Sequence, residues 1–166
     1  MDHRSIFKRS STIFLQRSVV LIGIITIVLM LWEPHIESRN AHATLFEIYF
    51  KDPFLAYAYI ASIPFFVVLY QALKILRYAR QNKLFSQATI KALRTIKFCA
   101  IVLVALIAVP LVYLFIVRPE DDIAGGVAVS LFLIFVSTII AASAAVFERN
   151  LQSAMDIKSE TDLTAQ

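Results

Sequence analysis

The stretch KILRYARQNKLFSQATIKALRTIK, residues 74–97, decides how this chain is laid out. It holds Lys74, Arg77, Arg80, Lys83, Lys91, Arg94 and Lys97 without one Asp or Glu, and it separates two long apolar runs. Connectors rich in Lys and Arg are retained on the cytoplasmic side of a membrane. The stretch therefore predicts a cytoplasmic basic hairpin, 77–97, between two membrane-spanning helices, and it orients the rest of the protein.

On the N-terminal side of the hairpin, a span is expected over 53–76. Asp52-Pro53 starts it well: a carboxylate that caps free N–H groups, then a residue with no N–H to satisfy and φ already set for a helix. On the C-terminal side, a span is expected over 98–117. Pro64 and Pro110 fall inside these spans, and each removes one backbone hydrogen bond, so static kinks are expected there.

Two further spans lie outside this pair. Arg4, Lys8, Arg9 and Arg17 precede an apolar run that reaches spanning length, about 20 residues, over 13–32. Ala41-His42-Ala43 has the form of a signal-peptide cleavage site, but it lies about ten residues beyond the apolar core, so an uncleaved first helix is expected. Pro34 is expected to end that helix. The loop that follows is acidic (Glu33, Glu37, Glu47, Asp52), with Trp32, Phe46, Tyr49 and Phe50 suited to the headgroup zone. Arg118-Pro119-Glu120-Asp121-Asp122 forms a second outer turn, a fourth span covers 123–147, and a tail covers 148–166. An even number of spans places both ends on one side. The prediction is an all-α polytopic membrane protein: four transmembrane helices in one domain, both termini cytoplasmic.

Composition agrees with that class. Of 166 residues, 59% are hydrophobic and only 17% charged, and the mean hydropathy is +0.74. The net charge of +4 sits beside membrane-length apolar runs. It is better matched to anionic headgroups than to nucleic acid, and no direct nucleic-acid contact is expected. Cys99 lies in an apolar run and has no disulfide partner in the chain.

The connector NKLFSQATIKALRTIKF resembles the inner-loop signature of a bacterial family of four-helix membrane proteins, domain of unknown function 2975 (YoaS-like). In that family a Phe-Ser or Phe-Thr pair precedes a helix bearing a Leu-Arg pair; Phe85-Ser86 and Leu93-Arg94 fill those places. The tail Glu160-Thr161-Asp162-Leu163-Thr164 is similar to the family's closing E-x-D-L-T element. The chain departs from the pattern in lacking a Gly just before Phe85 and in ending Ala165-Gln166. The resemblance implies the same fold, no known reaction and a bacterial inner-membrane location. Some relatives stand beside small helix-turn-helix regulators, which implies a cytoplasmic protein partner.

Residues bearing chemistry are sparse. His35, His42, Glu33, Glu37 and Glu47 share the first outer loop, but no spacing among them matches a metal motif, and a solvated loop is the expectation. No Ser or Thr in the helices has a His or acid near it in sequence to activate it, no cofactor is expected, and nothing marks an enzyme. From Pro53 to Gly125 the only ionisable side chains away from the turns are Tyr57, Tyr59, Tyr70, Tyr113 and Cys99, without the intramembrane charges that ion-coupled transporters use. The expected function is a non-enzymatic membrane protein, a regulatory anchor whose surface for a partner or for membrane lipids comprises Arg77, Arg80, Lys83, Phe85, Ser86, Lys91 and Arg94 of the hairpin and Glu160, Asp162 and Leu163 of the tail. Two arrangements of the acidic tail stand open: docking on this hairpin through Asp156, Glu160 and Asp162 with Leu163 adding apolar contact, or a disordered tail with the hairpin held by lipid headgroups. The alternative is a small oligomeric transporter or channel subunit; the oligomeric state is left open. Gly126, Ser130, Ser137, Ala141 and Ala145 form a small-residue face on the fourth helix, expected to be the internal packing seam, with a homodimer face as the alternative.

Overall fold

A computed structural model describes residues 3–36, 53–117 and 124–164, with side chains over 11–32, 55–116 and 125–161. They form α1 (His3–Ile36), α2 (Pro53–Arg80), α3 (Gln87–Val117) and α4 (Ala124–Thr164). Among the described residues there is no strand. All four helices contain a segment long and apolar enough to cross a membrane: Ser11–Trp32, Leu55–Arg80, Gln87–Ile116 and Gly125–Thr161. The expected all-α, four-span architecture is what the chain adopts.

Neighbours in sequence pack as neighbours in space, most extensively α3 with α4, then α2 with α3, then α1 with α2; other pairs touch only marginally. Contacts across the helices show that neighbours run antiparallel. Early residues of α2 meet late residues of α1 and α3 through Tyr59–Met30 and Tyr57–Leu106. Early residues of α3 meet the second half of α4 through Arg94, Lys97 and Glu148. The core lies toward the hairpin end, where Val68, Ile96 and Ala144 bring α2, α3 and α4 together, with Ile75 and Cys99 against them. Thr89, Ile90, Ala92, Leu93 and Ala100 are also buried, whereas no described residue of α3 beyond Ala100 is. Outward-facing Phe14, Ile116 and Phe132 are exposed. That costs little in a bilayer, because lipid tails are as apolar as the side chains themselves.

The prolines explain two of the contacts between helices. A proline at position i has no N–H for the carbonyl of residue i−4, and within a bilayer that carbonyl has to find another donor. Pro110 frees the carbonyl of Leu106, and the hydroxyl of Tyr57 on α2 donates to it at 2.6 Å. Pro34 frees the carbonyl of Met30, and the hydroxyl of Tyr59 donates to it at 3.0 Å. Two tyrosines, two residues apart on α2, thus tie it to α3 and to α1 at the points where prolines open the backbone. This accounts for a departure from expectation: α1 does not stop at Pro34 but continues to Ile36. Helices α2 and α3 likewise continue through Pro64 and Pro110.

α4 departs further. Its 41 residues make a rod about 60 Å long, twice the roughly 30 Å hydrocarbon thickness. The apolar run ends at Phe147, and the rest continues as helix through Thr164.

Candidate functional site

The hairpin is built by two local devices. At the end of α2, Asn82 adopts φ 55°, the left-handed conformation that Asn tolerates better than most residues. The N–H of Asn82 then reaches the carbonyl of Ala79 at 3.2 Å, and that of Lys83 reaches Tyr78 at 2.9 Å. This is a Schellman closure, which satisfies carbonyls the helix end would leave bare. At the start of α3, Ser86 is the cap: Thr89 N–H donates to Ser86 Oγ at 3.4 Å and to its carbonyl at 3.0 Å. The two hydroxyls lie 3.1 Å apart, and Thr89 is buried. The turn between α2 and α3 is therefore held at both ends, and it presents Leu84 and Phe85 outward, the latter 67% exposed.

Around that turn Arg77, Arg80, Lys83, Lys91 and Arg94 are exposed. Lys74 is half-buried and lies 6.0 Å from the ring centre of Tyr78. The counter-charge comes from Glu148 on α4, which sequence reasoning passed over in favour of Asp156, Glu160 and Asp162. Glu148 is buried. Its Oε1 accepts from Arg94 Nε at 2.9 Å and its Oε2 from Lys97 Nζ at 2.5 Å. Both carboxylate oxygens are engaged by cations three residues apart on α3, which therefore share a face. The available signal was positional: Glu148 is the first charged residue after the apolar run of α4, and the hairpin end of an antiparallel neighbour is where Arg94 and Lys97 stand.

With Glu148 level with Arg94 and Lys97, equal rise per residue brings the start of α3 level with Asp156 and Ile157. About two turns of α4 then project past the start of α3. Asp156 and Glu160 are exposed on this projection; the side chains of Asp162 and Leu163 lie outside the described residues. On the small-residue face of α4, Ser137 is buried, and Ser130, Ala141 and Ala145 are half-buried. Gly126 is exposed, with nothing within 4 Å of where a Cβ would stand. The buried positions of α4, among the described residues, are Ser137, Ala144 and Glu148. On α2, Gln71 carries a buried amide oxygen with no partner among the described residues.

No group of three or more His, Cys, Asp or Glu that could hold a metal occurs among the described residues. The side chains of His35 and His42 fall outside them. What the site offers chemically is cationic: a rigid basic turn with an exposed aromatic at its tip, braced from below by one buried carboxylate.

Comparison with known proteins gives the same class. A family model described as protein of unknown function DUF2975 matches residues 18–165. The chain is 39% identical to the uncharacterized membrane protein YoaS of Bacillus subtilis (strain 168) over 157 residues, 94% of this chain and 98% of that one. No solved structure matches. With four apolar helices and this relative, the protein is a multi-pass membrane protein. It belongs to the DUF2975 family.

Proposed function

We propose that the protein is a non-enzymatic anchor in the bacterial cytoplasmic membrane, with both termini in the cytoplasm, that holds a cytoplasmic protein on its basic hairpin. One observation carries this reading. Of the cations between Lys74 and Lys97, Glu148 engages only Arg94 and Lys97, while Arg77, Arg80, Lys83 and Lys91 stand exposed on a turn made rigid by Asn82 and Ser86. A pre-set surface loses less entropy on binding than a mobile loop. Its charge selects a partner with an acidic face, and Phe85 supplies an apolar anchor at the centre. A small helix-turn-helix regulator is the partner class that the family resemblance implies. The cytoplasmic placement of this end rests on its basic charge.

The test is affinity capture in mild detergent at low salt, comparing the unaltered chain with a triple variant, Arg77→Glu, Arg80→Glu and Lys83→Glu. A single cytosolic protein retained in defined stoichiometry on the first and lost from the second is the expected result. Capture of copies of this chain alone, or retention indifferent to the charge reversal, refutes the reading.

A second reading, a small oligomeric transporter or channel subunit, is favoured by Gln71 alone, since a polar atom left unpartnered within an apolar segment marks functional pathways. Solute or ion flux in liposomes that disappears with Gln71→Leu would support it.

A further inference from the structure

The face of α3 that carries Lys91 and Arg94 does not end with them. Exposed residues continue as Phe98, Ile101, Ala105, Val109 and Val112, at intervals of three or four, so they form one stripe along the helix. Two cations at one end thus lead directly into a lipid-length apolar face, with Phe98 at 67% and Val109 at 67% exposure. A phospholipid has that same order: an anionic phosphate, then the glycerol level, then acyl chain.

Arg94 is the residue best set to receive the phosphate. Its side chain is 62% exposed although its Nε is held by Glu148. Only one edge of the guanidinium is used, and among the described residues its terminal nitrogens have no protein partner. Arg94 stands four residues, about 6 Å, before Phe98, the first residue of the apolar run. Both oxygens of Glu148 are spent on Arg94 and Lys97, so the trio keeps a net charge of about +1 and turns no free carboxylate edge toward an incoming anion. Phe147, the residue before Glu148, is also exposed, at 63%, and adds an aromatic at the same level on α4.

We propose that this stripe is a site for an anionic phospholipid, with Arg94 binding the headgroup phosphate, Lys91 as the second cation, Phe98 and Ile101 against the acyl chain, and Glu148 as the positioning residue that fixes the guanidinium. Arginine suits the role because its planar fork matches two phosphate oxygens at once, which a lysine does not. The site shares only Lys91 with the hairpin surface and needs neither Arg77, Arg80 nor Lys83, so the triple hairpin variant tests the partner reading without touching it.

The experiment is native mass spectrometry of the full chain in neutral detergent, with phosphatidylglycerol or phosphatidylcholine added in equal amounts. Phosphatidylglycerol is expected to be retained about tenfold more than phosphatidylcholine, the effect of a charge-assisted contact. Arg94→Gln should bring the two lipids level, Arg94→Lys should keep part of the preference, and the triple hairpin variant should keep it within about twofold.

Glu148→Gln discriminates most sharply. A surface acting by charge alone would bind phosphatidylglycerol more tightly once a negative charge is removed, whereas a positioned fork binds it several-fold less. Preference unchanged or raised in Glu148→Gln, or unaffected by Arg94→Gln, overturns the proposal. Arg94→Lys keeps a cation beside Glu148, so the test still reads if the other variants fail to fold. Glycerol phosphate in millimolar excess should leave lipid retention intact; full displacement by it would mean a soluble phosphate site and overturn the lipid assignment.

Discussion

Replacing Tyr57 by Phe removes one hydroxyl and leaves the carbonyl of Leu106 without a donor, because the residue that would have served it is Pro110. Hydrogen bonds between membrane helices are worth about 0.6 kcal/mol on average and up to about 1.7, while orphaning a buried acceptor costs about 1–3 kcal/mol. The bond is short, at 2.6 Å, and its acceptor has no alternative in an apolar segment. Tyr57→Phe is therefore expected to cost about 1–1.5 kcal/mol. In a Pro110→Ala background the new N–H at 110 fills the Leu106 carbonyl from within α3, and the same replacement should cost about 0.3 kcal/mol or less. Unfolding of the four chains of this cycle in mixed micelles, by titration with a denaturing detergent, measures the coupling directly. A coupling near 1 kcal/mol is expected; equal costs in both backgrounds would refute the proline account. Tyr59→Phe with Pro34→Ala provides a parallel cycle between α2 and α1.

Glu148→Ala leaves Arg94 and Lys97 facing each other without their counter-charge, and should lower stability by about 1–2 kcal/mol, between the values for exposed and buried pairs. Melting in detergent reads this loss, and added salt should recover part of it by screening. On α4, Ser137→Leu and Ala144→Leu should each destabilise by about 1–3 kcal/mol through overpacking, whereas Gly126→Leu should be nearly neutral because nothing stands within 4 Å of that position; equal melting temperatures for all three would contradict the packing described. Reporters fused after Gln81 and Gln166 should read cytoplasmic and reporters within 38–44 and 120–122 external, and an inner fusion found outside would reverse the orientation.

Position along the chain settles part of this fold. Helix number follows from counting apolar runs against one bilayer thickness. The hairpin follows from the uninterrupted cations of residues 74–97, and the start of α3 from the hydroxyl of Ser86. Each is a local property, legible without knowing what any helix touches. The lateral pairings come only from how the helices pack: Glu148 faces Arg94 and Lys97, Tyr57 and Tyr59 serve Leu106 and Met30, and Ser137 and Ala144 are the buried small positions of α4 among the described residues. In water an apolar stripe would have pointed to the face of each helix that turns inward. In lipid, Leu and Ile are equally stable on either face, so the hydrophobic pattern carries no information about helix rotation. The carboxylate that braces α3 thus becomes visible only when two helices, more than fifty residues apart at Arg94 and Glu148, are set side by side.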